Sequence, residues 1–261
     1  MKSLKLLILV LALTASPIAK ALAAAPCPGE EPFHWGYTGD TGPANWGNLD
    51  ASFALCNSGI EQTPIDLKLG HSISADFPQA EFHYDQGQLT VLDHDDQTTK
   101  DDGAGNYIVV GGIRYQLIND HFHAPSEHTI DGQSFPLELH LVHKSSDGKL
   151  GVVGVLVKAG AANQGLLKPP SYDNYNGIVM YPNQLLPASG RQLRYFGSLT
   201  TPACGQGVLW TVMKQPITMS QQQIDAIKAS INGCWGTDNN ARPVQPLNNR
   251  FIMEGGPKVR P

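Results

Sequence analysis

Two histidines separated by a single residue stand near the middle of this sequence, in the segment Asn119-Asp120-His121-Phe122-His123. Side chains at positions i and i+2 of a β-strand point to the same face. We therefore expect His121 and His123 to project together while Phe122 points away. Two neighbouring imidazoles can bind a metal ion. Taken alone, the pair does not establish a metal site, because surface histidines or hydrogen-bonded core histidines are the alternative.

A second predicted strand carries a third histidine. The stretch Leu137–His143 alternates, with leucines on one face and Glu138, His140 and Val142 on the other. The connection between the two strands contains Asp131-Gly132, a turn sequence that favours an antiparallel pair. His140 would then complete a set of three nitrogens, and Glu138 would accept the other ring N–H of a ligand histidine. Such a set suits zinc with water at an open fourth position, but the residues alone leave the reaction open.

The elements that must position these histidines are predicted to be short strands, because apolar residues alternate between Gly- and Pro-rich turns. The predicted strands are Gln88–Leu92, Tyr107–Val110, Ile113–Ile118, Leu137–His143 and Val152–Lys158. Gly111-Gly112 and Asp147-Gly148 predict hairpin turns. One helix is predicted, with Ser220 as its N-cap and Gly233 at its end. The expected fold is mainly β (α+β): one domain on a large, mostly antiparallel, twisted central sheet with few short helices and long loops.

The amino-terminal segment predicts export. Lys2 and Lys5 precede an apolar run over residues 6–13, and small residues follow at 21–25, so residues 1–25 are predicted to be a secretory signal peptide. The alternative is an uncleaved membrane anchor, although the apolar run is too short to span a bilayer. Residues 26–261 would form the single domain. We expect a periplasmic or secreted protein with no membrane association after cleavage.

The net charge argues against polyanionic partners. The formal net charge is −5, and removal of the signal peptide takes away Lys2, Lys5 and Lys20 without removing an acid. The chain has no basic stripe, which argues against nucleic acid and anionic membrane as partners.

Four cysteines remain after the predicted cleavage. An even number in an exported chain suggests disulfides, and spacing leaves three pairings open, with buried free thiols as the alternative. No CxxC pair is present, which argues against a cysteine zinc site. The four are Cys27, Cys56, Cys204 and Cys234.

With its motifs taken together, the sequence resembles α-carbonic anhydrases of the exported bacterial type over nearly all of residues 26–261. The motifs that carry the resemblance are, in chain order, His34-Trp35-Gly36-Tyr37, Gln62-Thr63-Pro64-Ile65-Asp66, His121-Phe122-His123, Ser126-Glu127-His128-Thr129, Glu138-Leu139-His140-Leu141-Val142-His143, Gly197-Ser198-Leu199-Thr200-Thr201-Pro202 and the segment 242–250.

The resemblance implies an enzyme. His121, His123 and His140 would bind a Zn²⁺ cofactor, and zinc lowers the pKa of its water toward neutrality. The implied reaction is the reversible hydration of carbon dioxide to bicarbonate and a proton, by attack of zinc-bound hydroxide on CO2, with weak esterase activity as a side reaction. Thr200 would accept a hydrogen bond from the hydroxide and donate one to an ionised Glu127.

Further roles are implied for residues around these. Asn119 and Glu138 would be outer partners of the ligands, and Tyr37 and Thr201 would belong to a water network. A CO2 pocket would be formed by Val142, Val152, Leu199 and Trp210, while His128 and His143 would have structural roles and His94 would be the proton shuttle. The implied disulfides are Cys56–Cys204 and, by elimination, Cys27–Cys234. The alternative for His94 is a solvent-facing loop histidine. The resemblance also implies inhibition by sulfonamides and small anions, and either a monomer or a homodimer.

Three residues depart from the family pattern, the mildest change being Ala203, which follows Pro202 where a second Pro is common. Asp120 replaces the usual aromatic residue before the first ligand, and since a buried unpaired carboxylate is costly, we expect a partner or local exposure. Asn119 is one methylene shorter than the usual Gln, which predicts a looser or shifted bond to His121. Two other function classes compete: a binding module that has lost a ligand, and a zinc hydrolase of another kind. All three histidines are kept, and neither an HExxH helix nor a GxSxG elbow is present.

Overall fold

The computed structural model describes residues 35–84, 89–91, 105–168 and 178–256. Predictions that concern the signal peptide, Cys27, His94 and the side chain of Cys234 lie outside the described residues. The described strands are β1 (Asp66–Leu67), β2 (Ile73–Ser74), β3 (Glu81–His83), β4 (Leu89–Val91), β5 (Tyr107–Val110), β6 (Ile113–His123), β7 (Thr129–Ile130), β8 (Leu137–Ser145), β9 (Leu150–Ala159), β10 (Leu166–Lys168), β11 (Ile178–Met180), β12 (Gln192–Ser198), β13 (Gln206–Met219) and β14 (Met253–Gly255).

A nine-stranded sheet dominates the described part of the chain. Its strand order is β2-β14-β12-β13-β9-β8-β6-β5-β3, and only the pairs β13–β9 and β14–β2 are parallel. Two small sheets accompany it, β10-β11-β4 and β1-β7. The predicted mainly-β fold on a large, mostly antiparallel sheet is confirmed.

The predicted hairpins position the two histidine strands. Gly111 and Gly112 have φ of 58° and 80°, a backbone region that glycine enters without steric cost, and they connect β5 to β6. Residues 146–149 connect β8 to β9. β6 runs five residues beyond the predicted end at Ile118 and so carries both His121 and His123 within one strand.

The sheet separates two apolar clusters. Leu137, Leu139 and Leu141 are fully buried on one face of β8, where they belong to the larger cluster. Val142 lies in the smaller cluster on the other face, the face that Glu138 and His140 share. Burying each leucine contributes about 1.5–3 kcal/mol to folding, so the apolar face fixes which face the histidine presents.

Three α-helices are described: α1 (Trp46–Leu49), α2 (Leu55–Ser58) and α3 (Gln221–Trp235). Short 3-10 turns lie at Gly39–Thr41, Ala51–Phe53, Leu69–His71 and Pro182–Leu185. Helix α3 packs Ile224, Ile227 and Ile231 into the larger cluster. Within the described ranges, no helix combines the length and the apolar character that crossing a bilayer requires.

The two ends of α3 can be compared with the predicted N-cap and the predicted end of the helix. Ser220 caps the helix as predicted: its hydroxyl accepts from the Gln223 N–H, and the Gln223 side chain accepts from the Ser220 N–H. The predicted end at Gly233 is wrong, because the helix continues to Trp235 and ends at Gly236, whose φ is 66°. A glycine inside a helix costs only about 1 kcal/mol, and the Trp235 ring packs against Trp35, 5.1 Å between centroids, in the last turn.

Candidate metal centre

Three histidines meet on one face of the sheet. His121 and His123 are two residues apart on β6, and His140 of β8 is the antiparallel partner of His121. The three residues offer nitrogen atoms that all lie within 4.8 Å of one another. Alternation within β6 and the register between β6 and β8 therefore produce the predicted cluster.

Burial keeps these imidazoles neutral. Desolvation lowers the pKa of His123 to about 4. It also lowers the pKa of His121 well below its usual value, with help from the neighbouring His123 and His140, and it lowers the pKa of His140 against the opposing charge of Glu138. Neutral imidazoles keep a lone pair for a metal ion.

One hydrogen bond fixes the tautomer of each ring. Asn119 Oδ1 lies 2.6 Å from His121 Nδ1, and the backbone oxygen of Asn240 lies 2.8 Å from His123 Nδ1. Because oxygens of amides only accept, both rings are protonated at Nδ1 and keep the lone pair of Nε2. The shorter side chain of Asn119 reaches His121 without the loosening that the sequence predicted.

The third ring is the opposite tautomer. Glu138 Oε1 lies 3.0 Å from His140 Nε2, so the carboxylate accepts the Nε2 proton and leaves the lone pair on Nδ1. The buried Nε2 of His123 has no hydrogen-bond partner, although a buried polar atom normally has one. A cluster of neutral rings with free lone pairs, one of them buried and unpartnered, fits a tetrahedral zinc site with three nitrogen ligands.

Glu138 is held on two sides. Besides His140, it accepts from the ring Nδ1 of His128 at 2.7 Å and from the His128 backbone N–H at 2.8 Å. Burial raises the pKa of Glu138, but electrostatic attraction and hydrogen bonds from the N–H groups of His128 and His140 outweigh it and hold the pKa well below its usual range. His128 Nε2 in turn lies 2.6 Å from the Tyr195 hydroxyl. Glu138 is therefore a carboxylate fixed between two imidazoles.

Glu127 lies on the other side of the cluster. Its Oε2 is 3.5 Å from His123 Nε2 and 3.9 Å from His140 Nδ1, and its Oε1 accepts the backbone N–H of Arg242 at 2.8 Å. Burial raises its pKa to about 7, opposed by His140, by the Arg242 N–H and by the hydroxyl of Thr200. Oε2 itself makes no hydrogen bond of standard geometry within the described residues. The structure thus brings Glu127 and Thr200 together beside the three histidines.

The four predicted pocket residues also come together. Val142, Val152 and Trp210 belong to the smaller apolar cluster, with Leu199 packed against it. The Trp210 ring lies 4.9 Å from the His140 ring, and its indole N–H donates to the Ser198 oxygen at 2.9 Å. An apolar wall therefore adjoins the third histidine.

Tyr37 and Thr201, the two residues predicted to contribute to a water network, are held by different contacts. Tyr37 packs edge-on against Trp35, Trp46 and Trp235. Burial and the nearby charge of Glu127 raise its pKa well above the usual value. The Thr201 oxygen accepts from the Cys204 N–H at 2.8 Å.

The described residues contain one of the two implied disulfides. Cys56 and Cys204 are bonded, 148 positions apart in the sequence. The bond joins α2 to the loop that carries Thr200, and the pairing implied by the resemblance is confirmed.

The expectation for Asp120 is wrong. Its side chain is 0% exposed, and neither carboxyl oxygen has a hydrogen-bond partner within the described residues. It opposes Leu141 on the face away from the histidines, where desolvation raises its pKa to about 7. Desolvation therefore shifts Asp120 toward its neutral form, and no partner stabilises its charge within the described residues.

Sequence reasoning missed two contributors. Asn240 supplies its backbone oxygen to His123, while its side chain binds the Ala124 N–H and the Phe122 oxygen. Arg242 holds Glu127 through its backbone N–H. The contacts with His123 and Glu127 both use main-chain groups, which do not depend on residue type. The sequence therefore carries no signal for either of them.

A cluster of three imidazoles on neighbouring strands, flanked by two buried carboxyl groups, defines a metal-binding β protein. A family model described as eukaryotic-type carbonic anhydrase matches residues 41–255. A carbonic anhydrase of Nostoc sp. is 38% identical over 234 residues, covering 85% of this chain and 86% of its own length. A carbonic anhydrase of Klebsiella pneumoniae is 36% identical over 230 residues, with coverage of 85% and 91%.

A solved structure shows the same likeness. The α-carbonic anhydrase of Thermovibrio ammonificans, solved with the inhibitor sulfanilamide, matches with a TM-score of 0.74 at 36% identity, over 85% of this chain and 99% of that one. This chain therefore belongs to the eukaryotic-type, or α, carbonic anhydrase family.

Proposed function

We propose that the protein is a carbonic anhydrase that catalyses the reversible reaction of CO2 and water to bicarbonate and a proton. The observation that carries the proposal is the cluster of His121, His123 and His140, each a neutral ring whose tautomer leaves a lone pair free. A bound zinc ion would supply a water whose pKa falls to about 7, as is established for carbonic anhydrases. These residues would be its ligands.

Glu127 and Thr200 would orient the nucleophile. Glu127, held by the Arg242 N–H, would accept a hydrogen bond from the Thr200 hydroxyl as a carboxylate. The Thr200 oxygen would then face the three histidines only as an acceptor. This arrangement needs Glu127 ionised, and the positive charge of the metal would favour the carboxylate that burial alone disfavours.

Apolar residues would hold the substrate. Val142, Val152, Leu199 and Trp210 adjoin the site and would place CO2 without competing for a hydrogen bond. Tyr37 and Thr201 would contribute to a water network at the same site, and ester hydrolysis would be a weak side reaction there. Because the T. ammonificans relative was solved with sulfanilamide, we expect sulfonamides, and small anions, to inhibit this protein.

His94 is proposed as the proton shuttle. In weak buffer, His94→Ala is expected to lower turnover, because the proton must reach bulk solvent through another carrier. Added imidazole would restore the rate. An unchanged rate in weak buffer would show that the proton leaves by another route.

Export remains part of the proposal. Residues 1–25 would be removed as a signal peptide, leaving 26–261 as the catalytic domain in the periplasm or outside the cell. The Cys56–Cys204 disulfide supports an oxidising destination. Mass spectrometry of the mature protein would locate the cleavage.

The enzymatic proposal is tested by removing and restoring zinc. Stopped-flow CO2 hydration of the purified protein is expected to fall to the uncatalysed rate after chelation and to return with one equivalent of zinc per chain. A protein that binds zinc but never accelerates CO2 hydration would instead be a binding module.

A further inference from the structure

Gly154 occupies an unexpected place in the sheet. It lies on β9 in the run Val152-Val153-Gly154-Val155, between His140 of β8 and Val212 of β13 as its cross-strand partners. Glycine inside a central strand weakens the strand and frequently marks a close approach by another group. Its φ lies outside the positive range in which glycine is needed for the backbone, so the reason for glycine must be space.

The space is taken by the carboxylate that holds His140. A Cβ atom at position 154 would lie 2.9 Å from Glu138 Oε1, with Val212 Cγ2 at 3.5 Å and Trp210 Cζ3 at 3.7 Å. Only the first of these contacts is shorter than real Cβ atoms allow. A side chain at position 154 would therefore displace one atom above all, Glu138 Oε1.

That oxygen cannot move freely. Glu138 is fully buried, and its Oε1 accepts from both His128 Nδ1 at 2.7 Å and His140 Nε2 at 3.0 Å. A displacement of a few tenths of an ångström lengthens one or both bonds. The bond to His140 is also the one that keeps the Nδ1 lone pair available.

We propose that Gly154 is a positioning residue for the metal: its missing side chain leaves the room in which Glu138 orients and polarises His140. The proposal rests on the zinc site put forward above. Loss of an outer hydrogen bond to a metal ligand typically weakens metal affinity 10–100-fold. Gly154→Ala is therefore expected to weaken zinc binding about tenfold.

Gly151→Ala is the matched control. Gly151 lies on the same strand, and a Cβ there would have Tyr115 Cδ1 at 3.4 Å as its nearest atom, an ordinary contact. Zinc affinity, measured by competition with a chelating indicator, is expected to stay at the wild-type value in Gly151→Ala. Wild-type protein that binds no zinc would overturn the proposed function itself, which separates that failure from failure of this inference.

A double-mutant cycle with Glu138→Ala separates positioning from packing. With the carboxylate gone, Gly154→Ala should have no further effect on zinc affinity. If Gly154→Ala weakens zinc binding equally in both backgrounds, or leaves affinity unchanged in the wild-type background while lowering only the stability of the zinc-free protein, the inference is wrong. Should Gly154→Ala alone fail to fold, the inference predicts that Glu138→Ala restores folding, and a double variant that stays unfolded where Glu138→Ala folds would contradict it.

Discussion

At the scale of single residues, the pKa values of two buried acids, Glu138 and Glu127, are shifted in opposite directions. Two imidazoles contact Glu138 and hold its pKa low, whereas Glu127 receives one backbone N–H and has a pKa of about 7. Burial alone favours the neutral form of both acids. The partners therefore decide the charge of each acid: Glu138 holds His140, and in the proposed mechanism Glu127 would accept a hydrogen bond from the Thr200 hydroxyl.

Replacing Glu127 by Gln tests its task. The amide can donate as well as accept, so the Thr200 hydroxyl loses a defined direction. We expect CO2 hydration to fall about 100-fold, the cost typical of removing one preorganised hydrogen bond at a reacting group. Zinc content measured on the same sample should remain at one per chain, and an unchanged rate would remove Glu127 from the mechanism.

The second prediction concerns Asp120 and pH. Its pKa rises from 3.8 to about 7 on folding, so the folded chain binds this proton more tightly than the unfolded chain. Folding therefore carries a free-energy cost for protonating or burying the Asp120 carboxylate. This cost is absent well below pH 3.8, grows as the pH rises toward 7, and is constant above pH 7. The shift corresponds to about 4 kcal/mol at 1.36 kcal/mol per unit.

Asp120→Leu should therefore stabilise the zinc-free protein at pH 7 by about 2–4 kcal/mol, because Leu141 and its neighbours offer an apolar site. Denaturant unfolding should show this gain shrinking as pH falls to 4. The exposed Asp76→Leu serves as control and should change little at either pH. A gain independent of pH would mean that Asp120 does not titrate as described.

At the scale of elements, the sequence predicted faces better than contacts. Alternation placed His121, His123, Glu138 and His140 on one face, because an apolar strand face has only one stable orientation. Alternation could not show that Asp120 would be buried without a partner, because it gives the face toward which a side chain points but not the atoms that surround it. The Asn240 oxygen arrives from a segment 117 positions away, a distance over which local pattern carries no information.

Gly197 links strand packing to the loop that carries Thr200. A Cβ there would lie 2.1 Å from Thr63 Oγ1 and 2.8 Å from Tyr195 Cε2. Thr63 and Ser198 exchange two hydrogen bonds of 2.9 and 3.0 Å, two residues before Thr200. The Thr63 hydroxyl must therefore move if position 197 gains a side chain.

We expect Gly197→Ala to lower the free energy of unfolding by about 1–3 kcal/mol and to lower kcat for CO2 hydration while zinc remains bound. Gly205→Ala is the control, because a Cβ at Gly205 meets no atom within 4 Å. Equal effects of the two substitutions on kcat would show that the loop tolerates displacement of Thr63.

At the scale of the whole molecule, the two faces of the sheet differ in what they carry. One face and α3 form the larger apolar cluster, and the other face presents the histidines beside the smaller one. The disulfide joins the loop of Thr200 to α2 across 148 positions of the sequence. A crosslink of such span stabilises mainly by restricting the unfolded chain.

Replacing Cys56 and Cys204 by Ser should lower the free energy of unfolding by about 2–5 kcal/mol. Denaturant unfolding of the double variant should match that of the wild type under conditions that reduce this disulfide. A double variant as stable as the oxidised wild type would show that the crosslink contributes nothing to the fold.

In the proposed function, CO2 hydration depends on zinc bound by His121, His123 and His140. The most direct measurement is zinc content together with stopped-flow CO2 hydration for His140→Ala and His143→Ala. Both histidines are buried on β8, but His143 faces Tyr84, its Nε2 lying 2.9 Å from the Tyr84 hydroxyl. We predict that His140→Ala loses both zinc and hydration while His143→Ala keeps one zinc per chain and an accelerated rate. Full activity of His140→Ala without zinc, or loss of zinc from His143→Ala alone, would show that these three histidines are not the zinc ligands.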